Sequence, residues 1–134
     1  MRSPANEGRK AVAAVELALL LPLLTLLFVA AVDFARIFYY AQLIESCARN
    51  GALYACDPKA PAYNLYSSVQ EAALADVSSL NPQPTVSSTT GIDSAGNDYV
   101  AVTVTWPFKP ITICPGVPST VIISRTVQMR QLLQ

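Results

Sequence analysis

A chain of 134 residues with 52% hydrophobic content and a mean hydropathy of +0.37 is too apolar for an ordinary small soluble domain and suits one membrane span carrying a small head. Nine Lys/Arg balance nine Asp/Glu, and no basic run interleaved with aromatics argues for nucleic acid. Histidine is absent, which removes imidazole triads, the usual imidazole metal ligands and the commonest general acid or base.

Residues 1–10 carry no pattern and read as a tail. From 11 to 32 the only breaks in an apolar run are Glu16, Pro22 and Thr25. At 1.5 Å per residue the run gives about 33 Å of helix, enough for a hydrocarbon core of about 30 Å. Arg2, Arg9 and Lys10 precede it, whereas Asp33 and Arg36 cancel beyond it. The positive-inside rule then puts the N-terminus in the cytoplasm and the bulk of the chain outside. A cleaved signal peptide is the competing reading, with Val29-Ala30-Ala31 as its small-residue site. Against it, Glu16 would open the apolar region, and the helical pattern does not stop at Ala31.

The pattern continues through residues 33–56. Phe34, Ile37, Phe38, Ala41, Ile44, Ala48, Ala52 and Ala55 recur at the spacing of one helix face. Asp33 with Arg36 and Glu45 with Arg49 are favourable pairs, and Tyr39 and Tyr40 fall where an interfacial aromatic belt would sit. Gly51 weakens the helix slightly. Asp57-Pro58 ends it. One helix from about residue 9 to about 56 is expected, apolar all round in its first half and amphipathic in its second.

Residues 57–134 read as a small exported α+β head of roughly 75 to 80 residues, marginal on its own. A proline-bearing linker, 57–63, leads to a second amphipathic helix over 64–81, with Leu65, Val69, Ala73, Val77 and Leu80 on one face. Ser67-x-x-Gln70 and Ser68-x-x-Glu71 are capping-box patterns, and Asn64 offers an earlier cap. Strands are expected over 84–90, 99–108 and 120–129. In the central one Val100, Val102, Val104 and Trp106 alternate with Tyr99, Ala101, Thr103 and Thr105. In the last, Val121, Ile123, Val127 and Met129 share a face that Arg125 interrupts. A three-stranded antiparallel meander with the helices over one face closes the head.

No catalytic constellation, cofactor cradle or metal set is legible. Asp93 and Asp98 lack the twelve-residue calcium pattern and its terminal Glu. Three cysteines occur, Cys47, Cys56 and Cys114, without a C-x-x-C pair. Cys56, at the helix end, and Cys114, in the proline-rich loop 109–118, are a candidate disulfide that would staple head to stalk; small buried thiols are the alternative. Cys47 and Cys56 stand about 13 Å apart on one helix, too far to bridge.

AVAAVELALLLPLL (11–24) and VDFARIFYYAQLIESCARNGALYA (32–55) resemble the TadE/TadG-like family, pseudopilins and related anchored proteins of the tight-adherence (Tad) pilus. The matching pieces are Val15-Glu16-Leu17-Ala18, Leu21-Pro22, Asp33-Phe34-Ala35-Arg36 and Ala48 to Ala55, and VAVTVTWPFKPITI is similar to the family's last part. The resemblance implies a non-enzymatic pilus component in the bacterial inner membrane, whose partners are other pilin-like subunits, the assembly machinery and membrane lipid. It implies no nucleic acid, cofactor or small-molecule substrate. It also makes Glu16 an assembly contact, with Arg9, Lys10, Asp33, Phe34 and Arg36 as further contact candidates; the alternative for Glu16, about six residues from the edge of the span, is to snorkel to the interface or pair with its own Arg9 or Lys10. Pseudopilin members are cut after a glycine, leaving the glutamate five residues into the mature chain. Here Glu16 lies eight residues past Gly8, so the neighbour's Arg9 or Lys10 replaces a new amine as the expected partner. A membrane-anchored exported binding domain unrelated to pili is the alternative from another class.

Overall fold

The computed structural model describes residues 4–63, 65–111 and 118–131. A single helix, α1 (Pro4–Cys56), runs through Pro22 without a break. Pro22 removes one backbone donor, which leaves the carbonyl of Ala18 without its intrahelical partner. Three residues on, the Thr25 hydroxyl donates to the carbonyls of Leu21 at 2.9 Å and Pro22 at 2.8 Å.

The two halves of α1 live in different surroundings. Residues 8–27 are exposed throughout. By length and composition this is a helix able to cross a membrane, and its most apolar window has no buried residue. In the second half Ile44, Cys47, Ala48 and Ala52 are buried at 1% exposure or less. They form the core with Val100, Val102, Val104, Trp106, Phe108 and Ile123 of the sheet and Val77.

After α1 the chain makes a short helix α2 (Ala60–Tyr63) inside the segment expected to be a linker. The second helix is much shorter than its apolar spacing predicts. It comprises α3 (Val69–Leu74) and a 3-10 turn, Ala75–Val77. Ser68 is the N-cap, its hydroxyl accepting from the Glu71 amide at 3.1 Å. Glu71 Oε2 in return accepts from both the amide and the hydroxyl of Ser67, at 2.9 and 2.7 Å. The cap therefore starts the helix at Val69, and Leu65, expected on the buried face, is 94% exposed. Asn64 lies outside the described residues.

The sheet is antiparallel in the order β1 (Thr85–Ile92), β2 (Asp98–Phe108), β3 (Val121–Arg130). Burial alternates without a fault along β2, as period-two patterning requires. The inner face is Val100, Val102, Val104, Trp106 and Phe108. The outer face is polar, with Thr103 bonded to Thr126 at 2.7 Å and Thr105 to Ser124 at 3.1 Å. Pro107 is tolerated because β1 ends opposite Thr105, so β2 has no neighbour on that side there. The β1–β2 turn is held by Asp93, and Gly96 takes the left-handed conformation (φ 81°) it requires.

Candidate functional site

The sequence-expected contact residues separate into two groups. Glu16, Arg9 and Lys10 lie on the bare part of α1, and all three are exposed. The ion pairs among the described residues are Arg36–Asp33 and Arg49–Glu45, so Glu16 has no cationic partner on its own helix. A carboxylate at the centre of a bilayer costs about 2.5 kcal/mol or more unless it is paired; Glu16 is the sixth residue of the apolar run, nearer its edge.

Asp33, Phe34 and Arg36 lie where α1 leaves the apolar run. Asp33 is 7% exposed and is the buried charged residue among those described. Its Oδ1 accepts from Arg36 Nη1 at 3.0 Å and from the backbone amide of Ile111 at 2.9 Å. The Arg36 guanidinium lies over the Phe108 ring, 5.0 Å from its centroid. Asp33 thus holds the segment following β2 down onto the helix, and Arg36 supports it from one side. Both are engaged within the chain. Phe34 and Phe38 sit on the face away from the head, 74% and 61% exposed. Sequence periodicity had placed both on the packed stripe. They form instead an outward aromatic pair one helical turn apart.

Above this junction Tyr40 packs on Trp106 and Phe108, with ring centroids 4.7 and 5.8 Å apart. Trp106 Nε1 donates to the Pro82 carbonyl at 2.7 Å. Two clefts flank the second half of α1. One, of about 370 Å³, is lined by Asn50, Tyr54, Asp57, Tyr63, Tyr66 and Asp76. Within it Asn50 donates to Asp76 at 2.9 Å and the Tyr54 hydroxyl to the Tyr66 carbonyl at 3.0 Å. The other, of about 440 Å³, lies between Arg36, Tyr40, Trp106, Phe108, Lys109 and the 79–82 turn. The sequence offered no signal for either cleft, because their walls come from segments tens of residues apart.

The cysteines carry no visible chemistry. Cys47 is a core side chain, and burial first, then the Asp76 carboxylate, pushes its thiol above the ordinary value. It stays protonated and unreactive. Cys56 donates to the Leu53 carbonyl at 3.1 Å; its candidate partner Cys114 lies outside the described residues. No group of three or more His, Cys, Asp or Glu side chains able to hold a metal occurs among the described residues.

The residues that build the bare span, the Asp33 junction and the Ala48–Gly51 packing surface fall in one continuous stretch. Residues 11–53 match the family of TadE-like proteins. The resemblance read from the sequence is borne out over this stretch. The TadE-like segment takes in Glu16, Pro22, Asp33, Arg36 and Gly51, and it ends before the sheet begins. No curated protein and no solved structure matches the chain.

Proposed function

We propose that this chain is a non-enzymatic, TadE-like minor pilin or assembly component of a tight-adherence pilus. In this reading it is anchored in the bacterial inner membrane by residues 11–32, with its N-terminus in the cytoplasm and its head outside. The observation that carries it is the family match over 11–53. That stretch covers a span exposed throughout residues 11–28 and the helical surface on which the head docks. A span of this kind is completed by lipid or by other spans. Glu16, exposed and without an ion-pair partner among the described residues, favours other spans. Its partner is Arg9 or Lys10 of a neighbouring subunit, and Phe34 with Phe38 extends the same lateral surface past the membrane.

The test is made in the bacterium that carries the chain. Deletion should reduce pilus number in electron micrographs and surface attachment. Glu16→Ala should insert into the membrane normally yet fail to support assembly. Unchanged pili on deletion would remove the pilus role. Unchanged pili with Glu16→Ala alone would remove the Glu16 contact and leave the role standing.

A further inference from the structure

The cleft beside Arg36 sits at a height set by the helix. The apolar run ends at Val32, so Arg36 lies about 6 Å and Tyr40 about 12 Å farther along the axis. Each headgroup layer of a bilayer is about 5 to 7 Å deep, taking a total of 40–45 Å less a 30 Å hydrocarbon core. Chain segments of the head descend toward this layer in register with the helix. Trp106 packs at Tyr40, Phe108 at Arg36, and the Ile111 amide at Asp33. Lys109, exposed and lining the cleft, is therefore held between the levels of Arg36 and Asp33.

The charges at that level are Asp33, Arg36 and Lys109. Asp33 is buried and paired with Arg36, so Lys109 leaves the cleft with one positive charge in excess. One Arg36 nitrogen is bonded to Asp33; a guanidinium has five N–H donors in all, so others remain for a ligand. The opposite walls are aromatic, from Tyr40, Trp106 and Phe108. A cationic rim of Arg36 and Lys109 at headgroup depth, with the aromatic wall rising above it, matches a singly charged phosphodiester attached to glycerol and acyl chains. Lysine serves as the point charge for phosphate.

We propose that the cleft bounded by Arg36, Tyr40, Trp106, Phe108 and Lys109 binds the headgroup of an anionic phospholipid of the membrane that α1 spans. The inference rests on the span and not on the pilus reading.

Trp106 is the chain's single tryptophan, and in the folded chain it lines this cleft, so its emission responds to binding there. The full chain in non-ionic detergent is titrated with short-chain phosphatidylglycerol, with phosphatidylcholine of the same chain length, and with inorganic phosphate. Phosphatidylglycerol should give a saturable change and phosphatidylcholine none. Lys109→Gln, which removes an exposed charge without touching the core, should weaken the response roughly fivefold, the equivalent of about 1 kcal/mol per cation at a membrane surface. Arg130→Gln, at the far end of the sheet, should leave it unchanged. An equal response to phosphatidylcholine, an unaltered titration in Lys109→Gln, or an equal loss in Arg130→Gln would overturn the site. Inorganic phosphate acting at the same concentration as the lipid would overturn the lipid assignment in favour of a free phosphate.

Discussion

Gly51 sets two helix rules against each other, and the structure decides between them. A glycine in mid-helix costs about 0.8 to 1.0 kcal/mol relative to alanine, so on propensity alone Gly51→Ala stabilises. But a Cβ at this position would stand 3.0 Å from the Ala73 Cβ, 3.1 Å from Val102 Cγ1 and 3.6 Å from Val69 Cγ1. Carbon pairs are most favourable at roughly 3.5 to 4.0 Å, so two of the three contacts overlap by about half an ångström. Neither neighbour can swing aside. Ala73 has only its Cβ, and Val102 is fully buried in the central strand. Inserting a methyl group into a packed core costs about 1 to 3 kcal/mol. The net expectation for Gly51→Ala is a loss of about 0 to 2 kcal/mol, and Gly51→Leu should separate α3 and β2 from α1 altogether, since a small head has little stability to spare.

The assay is urea unfolding of the purified full chain in detergent, followed by Trp106 emission, since Trp106 packs on Tyr40 of α1. Gly8→Ala is the control, because nothing lies within 4 Å of a Cβ there; it should leave the head's midpoint unchanged. If Gly51→Ala raised the stability by about 1 kcal/mol, the value for an unhindered helical glycine, and Gly51→Leu folded normally, the close approach of the three elements would be refuted.

Two further outcomes follow from the same contacts. Asp33→Asn keeps an acceptor for the Ile111 amide but loses the charge on the bonds to Arg36 and Ile111; hydrogen bonds to charged groups contribute about 1.5 to 3 kcal/mol. Because Arg36 is partly solvated, the loss should fall at the low end of that range, read as reduced urea stability with faster amide exchange at Ile111, and unchanged exchange would refute the anchor. Asp93 is held below the usual aspartate range by the Asn97 backbone amide and side chain, with the Ala95 amide and Arg130 adding to the shift. Its folded pKa is lower than its unfolded one, so its contribution to the turn is complete above the ordinary value of about 3.9 and is lost as pH falls through the folded value. A carboxyl titration by NMR should give a midpoint below about 3.9, and the exchange protection of Ala95 and Asn97 should fall only under that pH; a midpoint at or above the ordinary value would refute the cap.

Much of the fold is legible where one period dominates. β2 shows this best, since Val100, Val102, Val104 and Trp106 were readable as inward residues from alternation alone, and Phe108 continues their row. The continuity of α1 was readable too, because no breaker separates its halves. The errors arise where a period was satisfied without the structure it implies. Leu65 completes the four-residue spacing of the second helix, yet Ser68 caps that helix three residues later and leaves Leu65 in solvent. Phe34 and Phe38 fit the row of Ile37 and Ala41, but periodicity does not say which edge of a wide apolar face the head covers. The Asp33–Arg36 pair was legible as a local pair. Its bond to Ile111, 78 residues away, was not, since nothing local marks a carboxylate that accepts from a distant backbone.

That distant bond gives the boundary at Asp33 its physical meaning. Below it, residues 8–28 of the helix are all exposed; above it, the head buries the same helix. An ionised group at such a boundary could turn to water, but Asp33 turns inward and ties the end of β2 to the helix at one level. Because Trp106, Phe108 and Ile111 meet Tyr40, Arg36 and Asp33 in order, the head cannot slide along the helix without breaking all three contacts. Its height above the apolar run is therefore fixed by packing rather than by linker length. In the pilus reading, a neighbour recruited through Glu16 would meet the Phe34–Phe38 face and a head already set in place. The spacing between heads would then be dictated by how the spans pack. In that reading Asp33 would act on assembly by fixing what the neighbour meets, while Glu16 would supply the contact itself.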